Sequence, residues 1–208
     1  MQRRIHKAAV IGAGVMGSAI AAHLANVGIQ TYLLDIVPKE LTESEKARGL
    51  TLEDAEVRNR LAARGVENAK KNMAFYDNDD AQRITVGNTT DHLSWLSEVD
   101  WIIEAVVENL QIKQQLFAEL EKVWKPGTIV STNTSGVSIH QMVEGRSKVF
   151  RKHFLGTHFF NPPRFMKLLE IIPHRDSDPE IIQFMTRFAE DVLGKGVVLA
   201  KDTPNFIA

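Results

Sequence analysis

His158 and Glu170, in the stretch "GTHFFNPPRFMKLLEII", pose the chemical question. Each lies in an apolar run, and Asn161-Pro162-Pro163 forces a turn between the runs. An antiparallel hairpin centred near Arg164 would set positions 158 and 170 opposite each other. A carboxylate against an imidazole raises its basicity and fixes its tautomer, which suits a general base. A glutamate inside "KLLEII" needs such a partner, because an unpaired buried charge is costly. A buried pair of purely structural use would look the same in sequence. The other histidines, His6, His23, His92, His140, His153 and His174, lack an equally placed acid. No cluster has metal-ligand spacing, and no metal is expected.

A second group can hold an anion. Gly12-Ala13-Gly14-Val15-Met16-Gly17 fits G-x-G-x-x-G, between the apolar run ending at Ile11 and an alanine-rich helical pattern from Val15. Gly12 permits the turn, Gly14 lets backbone approach a pyrophosphate, and Gly17 lets the helix lie close to the strand. The amides of Val15 and Met16 open that helix and face the phosphates. Asp35 stands 18 residues after Gly17, at the end of the second apolar run, where an acid accepts from ribose hydroxyls. A 2′-phosphate would meet a like charge there, and Ile36 and Val37 supply no cation. NAD is therefore expected rather than NADP, with FAD left open by the motif alone. A plain surface aspartate at a strand–loop junction is the alternative.

Further polar groups cluster in "STNTSG", Ser131 to Gly136, where another apolar run ends. Open α/β sheets bind ligands at that end of a strand. The same residues would also cap the helix expected from Ser138. Glu108 and Lys113 lie near the start of a helix after "WIIEAVV", where an exposed, weakly interacting pair is the alternative to a functional one.

Apolar runs and helical periodicities alternate around these groups. Strands are expected at 5–11, 31–34, 83–86, 101–105, 128–131, 154–159, 166–172 and 197–200. Helices are expected at 15–27, 40–71, 110–123, 138–143 and 179–192. The expected fold class is α/β, a Rossmann-like doubly wound, mostly parallel sheet with a helical arm inserted after the second strand. Residues 1–200 would form this domain, with the arm at 38–80. The arm is charged and interrupted near Arg48-Gly49 and Arg64-Gly65, which predicts two helices projecting from the sheet. It reads as a solvated hairpin, or as a lid for an anionic ligand using some of Lys39, Lys46, Arg48, Arg58, Lys70 and Lys71.

Composition narrows the classes. The 208 residues carry a formal net charge of -1, which argues against a general nucleic-acid binder. No apolar run reaches the roughly 20 residues of a membrane span, and no membrane partner is expected. There is no cysteine, which fits an intracellular, cytoplasmic setting. At the C-terminus, Asp202-Thr203-Pro204 reads as a helix cap followed by proline, with little chain after it. The expectation is a piece of a longer protein, 201–208 opening a truncated helical domain.

Taken together, "VIGAGVMGSAIA", "IIEAVVENLQIKQQLF", "STNTSGVSIH", "GTHFFNPPRFMKLLEII" and "KDTPNFIA" resemble the NAD-binding domain of the L-3-hydroxyacyl-CoA dehydrogenases of fatty-acid β-oxidation. The resemblance spans nearly the whole chain. It implies NAD as cofactor and an acyl-CoA substrate. It also implies His158 as catalytic base, Glu170 as its orienting acid, Ser135 and Asn161 in the active site, and Glu108 and Lys113 on the nicotinamide side. The family's second, mostly helical domain dimerises the enzyme and closes over substrate. An asparagine that in the family follows "TP-x-F-I" is not reached here, where the chain stops at Ala208. The family's arm contacts coenzyme A, but 38–80 looks longer than usual, so no single contact is assigned. Two other classes stay open: a dehydrogenase of a small hydroxy acid or sugar acid, and a non-catalytic NAD-binding protein like the lens crystallins related to this family.

Overall fold

The computed structural model describes residues 3–203 and 206. Eight strands form one sheet: β1 (Lys7–Ile11), β2 (Gln30–Asp35), β3 (Ile84–Asn88), β4 (Trp101–Glu104), β5 (Ile129–Thr132), β6 (Phe154–Phe159), β7 (Leu168–Ile172) and β8 (Gly196–Leu199). Their order is β3-β2-β1-β4-β5-β6-β7-β8. The first six are parallel, and the order in which the chain adds strands reverses between β1 and β4; β7 is antiparallel to β6, and β8 is parallel to β7. This is the expected doubly wound α/β sheet, extended at one side by a hairpin. Apolar residues fill both faces. Val10, Leu33, Trp101 and Ile171 contribute to one core, and Ile11, Leu34, Ile102 and Phe154 to the other. Burial on both faces accounts for strands that read as continuous apolar runs.

Helix α1 (Val15–Asn26) follows β1, α5 (Leu110–Val123) follows β4, and α8 (Pro179–Asp191) follows β7. Two short helices, α6 (Ile139–Met142) and α7 (Lys148–Lys152), link β5 to β6. Strand positions agree with the sequence reading to within a residue or two. Helix α7 and the 3-10 turns Asn78–Arg83 and Leu93–Glu98 lack an apolar periodicity that would have announced them.

The arm departs from expectation. It holds α2 (Glu43–Ala47), α3 (Ala55–Arg58) and α4 (Arg60–Lys71) rather than two helices. Gly65 does not interrupt α4. A Cβ there would come within 2.5 Å of Ser18 Oγ and 2.9 Å of Ala13 O, so the glycine lets α4 lie directly on the start of α1. Ala62, Val66 and Ala69 are buried in that contact, so this helix packs on the domain instead of projecting from it. Most of the arm's cations are already paired: Lys46 with Glu43, Arg48 with Glu56, Lys70 with Glu67, and Arg58 with Asp91 at 2.6 Å. Lys39 and Lys71 form no ion pair among the described residues.

The helix expected after Asp202 falls on residues outside the described ones, but Asp202 itself has a visible role. Asp202 serves α6, accepting from the amides of Ile139 (2.8 Å) and His140 (2.9 Å) and from Ser138 Oγ (3.1 Å). Pro204, Ile207 and Ala208 lie outside the described residues.

Candidate active site

The β6–β7 hairpin places His158 and Glu170 as their spacing predicts. His158 and Glu170 are direct cross-strand partners. The imidazole Nδ1 lies 2.6 Å from Glu170 Oε2, with side-chain exposures of 15% and 1%. The carboxylate accepts from Nδ1–H, so the neutral ring carries its lone pair on Nε2. Phe160 and Phe206 flank the ring, with centroids at 4.7 and 5.9 Å. Asn133 fixes the end of this strand: its Oδ1 accepts from the Phe159 amide at 2.9 Å, while its own amide donates to Glu104 O at 2.7 Å. The turn beyond His158 is held from two sides. Lys195, buried, donates to Pro163 O and to Met166 O at 2.8 Å, and Arg164 donates to Met73 O and Phe75 O of the arm at 2.6 Å each.

The glycine turn has the form a dinucleotide needs. Gly12 has φ +100°, and a Cβ there would come within 2.5 Å of Ala105 O. A Cβ on Gly17 would meet Gly12 O at 1.7 Å, so the helix start is pressed onto the turn. A Cβ on Gly14 would meet nothing within 4 Å, which leaves backbone accessible to a ligand. Helix α1 has no side-chain cap, so the amides of Val15 and Met16 at its N-terminus are offered outward. Asp35 sits opposite, its carboxylate accepting from the amides of Ala13 (2.6 Å) and Ile36 (2.7 Å). Each oxygen retains a second acceptor direction for a hydroxyl. Val15, Ile36 and Val107, at the carboxyl ends of β1, β2 and β4, are 70%, 60% and 64% exposed. Apolar side chains exposed on the carboxyl side of the sheet suit flat rings; Ile36 and Val107 carried no signal in sequence for this.

A cleft of about 510 Å³ runs beside the turn, lined by Gly14, Val15 and Ser18, by Asn68 and Asn72 of the arm, and by Asn161 and Pro162. Another, of about 560 Å³, lies at the amino ends of the strands, lined by Arg3, His6, Phe184 and Arg187, away from these groups. The former brings Asn161 to the glycine turn. Residues 158, 170 and 161 thus share one hairpin with a cleft at its tip.

Ser135, Glu108 and Lys113 form a separate cluster. Glu108 accepts from the Ser135 amide (2.6 Å), the Ser135 hydroxyl (3.1 Å) and the Thr134 hydroxyl (2.8 Å). Burial pushes the Glu108 carboxyl up, but the Ser135 amide, Lys113 and the Thr134 and Ser135 hydroxyls outweigh it, so it sits below the usual carboxylate range. The Ser135 hydroxyl is therefore directed to Glu108 rather than to His158. Lys113 corrects the surface-pair alternative. It is 1% exposed, 2.6 Å from Glu104 and 3.3 Å from Glu108. Glu104, fully buried, also accepts from the Val106 amide and the Thr132 hydroxyl. The sequence reading missed Glu104, although an acid closing the apolar run "WIIE" was a sign that a buried cation lay nearby. The fold also brings His140, His174 and Asp176 together, a grouping that their spacing in sequence does not suggest.

Known proteins bear on this arrangement. The family model for the NAD-binding domain of 3-hydroxyacyl-CoA dehydrogenase matches residues 7–203. A probable 3-hydroxyacyl-CoA dehydrogenase of Bacillus subtilis is 56% identical over the whole chain, and one of Deinococcus radiodurans is 50% identical over 99% of it. The chain spans 27% of the first relative's length and 56% of the second's. Among solved structures, FadB2 of M. tuberculosis is similar with a TM-score of 0.75 and 30% identity, over 98% of this chain and 66% of that one. (S)-3-hydroxybutyryl-CoA dehydrogenase PaaH1 of Ralstonia eutropha gives a TM-score of 0.73 and 25% identity, over 99% and 66%. With its glycine turn, cross-strand dyad and sheet order inside the matched span, the chain belongs to the family of 3-hydroxyacyl-CoA dehydrogenase NAD-binding domains.

Proposed function

We propose that this chain is the NAD-binding and proton-transferring part of an enzyme that oxidises L-3-hydroxyacyl-CoA to 3-ketoacyl-CoA in fatty-acid β-oxidation. The observation that carries the reading is the His158–Glu170 pair on a hairpin whose tip, with Asn161, borders the cleft beside the glycine turn. Gly12, Gly14 and Gly17 with the amides of Val15 and Met16 hold the pyrophosphate, and Asp35 holds the adenine ribose. Glu108 and Lys113 lie on the nicotinamide side. NAD, when bound, supplies the hydride acceptor for C3 of the substrate.

His158 Nε2 takes the proton of the 3-hydroxyl. Glu170 holds the ring in the productive tautomer and stabilises the imidazolium that forms. Asn161 and Ser135 hydrogen-bond the reacting oxygen, Ser135 by turning its hydroxyl away from Glu108. In the reverse direction, protonated His158 returns the proton to a 3-ketoacyl-CoA. The relatives are longer than this chain, and the whole protein acts as a homodimer in the cytoplasm. No described helix is long and apolar enough to cross a membrane.

NADH oxidation with acetoacetyl-CoA, using the chain extended past Ala208, tests this reading. Turnover with acetoacetyl-CoA but not with acetoacetate supports it. Equal turnover with acetoacetate favours a small hydroxy-acid dehydrogenase, and NADH binding without turnover favours a non-catalytic NAD-binding protein.

A further inference from the structure

At the opposite end of the β6–β7 hairpin from Asn161, α6 crosses the segment that follows β7. His140 on α6 and His174 after β7 meet with their Nδ1 atoms 3.3 Å apart. His174 is 6% exposed, and its Nε2 lies 2.9 Å from Arg151 O. A carbonyl only accepts, so Nε2 carries the proton and the neutral ring's lone pair sits on Nδ1, toward His140. Asp176 completes a group whose ligand atoms lie within 4.8 Å of one another.

We propose that His140, His174 and Asp176 form a binding site for a first-row divalent transition metal of the Zn²⁺ type. Two ligands about 2.0–2.1 Å from a tetrahedral ion lie roughly 3.3 Å apart, the separation already present between the two ring nitrogens. The Nε2–H to backbone carbonyl bond on His174 is the outer-shell contact that metal-bound histidines use to fix orientation. Two imidazoles and a carboxylate suit Zn²⁺ better than Mg²⁺ or Ca²⁺, which prefer oxygen donors throughout. Arg151 Nη1, 3.2 Å from Asp176 Oδ2, competes for the carboxylate by charge, but that oxygen is buried and makes no hydrogen bond among the described residues, which leaves its lone pairs open to a ligand. Asp202, through its hydrogen bonds to α6, adds a second negative group nearby. Without a metal, the same contact is a hydrogen bond between the two rings.

The test is calorimetric titration of the EDTA-stripped protein with ZnCl₂, with Co²⁺ absorption as a second readout of histidine ligation. One Zn²⁺ per chain is expected, with affinity falling by at least about tenfold in both His140→Ala and Asp176→Asn, since loss of an outer-shell contact alone costs about 10–100-fold. His140 is only partly buried and Asp176→Asn keeps shape, so both variants are expected to fold, as circular dichroism would verify. Absence of Zn²⁺ binding, or binding that neither folded variant weakens, would overturn the proposal and leave a hydrogen-bonded histidine pair.

Discussion

Single residues in and near the candidate site are limited by their surroundings in what they can do. Asp35 is held by two amides at the mouth of the glycine turn, where a 2′-phosphate would bring a like charge. NADH is expected to bind well over tenfold more tightly than NADPH, on the order of 1.4 kcal/mol or more. Fluorescence titration of both checks this; equal affinities would remove Asp35 from cofactor selection. Lys113 is the buried counterpart. Changing it to Met leaves Glu104 with its charge and without its cation, at an expected cost of about 3–5 kcal/mol. Urea unfolding measures the loss, and adding Glu104→Gln in the same chain should recover part of it. No recovery would mean that the lysine acts through its packing.

At the scale of elements, the hairpin was legible because its signals were local. The period of apolar residues, the Asn161-Pro162-Pro163 turn and a glutamate in an apolar strand all lie within 17 residues, and register follows from a pairing of period two. Strand β1, the glycine turn and Asp35 were legible for the same reason. The Glu104–Lys113 pair joins a strand to a helix, and its partner could only be named once the helix was placed. The arm was misread because glycine is ambiguous in sequence: Gly65 reads as a break, yet it is the point where α4 touches α1. Its cations left open a solvated face or an anion site, and most of them have carboxylate partners. Gly65→Ala should therefore destabilise the domain by about 1–3 kcal/mol, because a methyl group must push Ser18 and the Ala13 carbonyl aside. Unchanged urea unfolding would show that α4 shifts at no cost.

At the scale of the whole molecule, the sheet and the hairpin are stapled by buried polar groups that make the fold sensitive to acid. His23 lies in the core beneath the sheet, 2% exposed, with Nε2 3.1 Å from Leu193 O. Burial, with Lys195 adding to it, pulls the imidazole from 6.5 down to about 4. Between those values the unfolded chain binds the extra proton, so stability falls as pH drops through that window. From pH 7 to pH 5 the His23 contribution is a loss of about 2 kcal/mol. Urea unfolding at the two pH values should show it, and His23→Gln should remove that part of the difference. A slope unaffected by the substitution would assign the acid sensitivity to other groups.

In the proposed reaction His158 is the base and Glu170 its anchor. The most direct measurement is the turnover of acetoacetyl-CoA reduction by the extended chain, beside its His158→Gln variant, with NADH affinity measured for both. Unchanged NADH binding is expected, with turnover lower by about a hundredfold or more, as for loss of a general acid–base. Turnover that survives the substitution would contradict it, and the hairpin pair would then be a structural contact only.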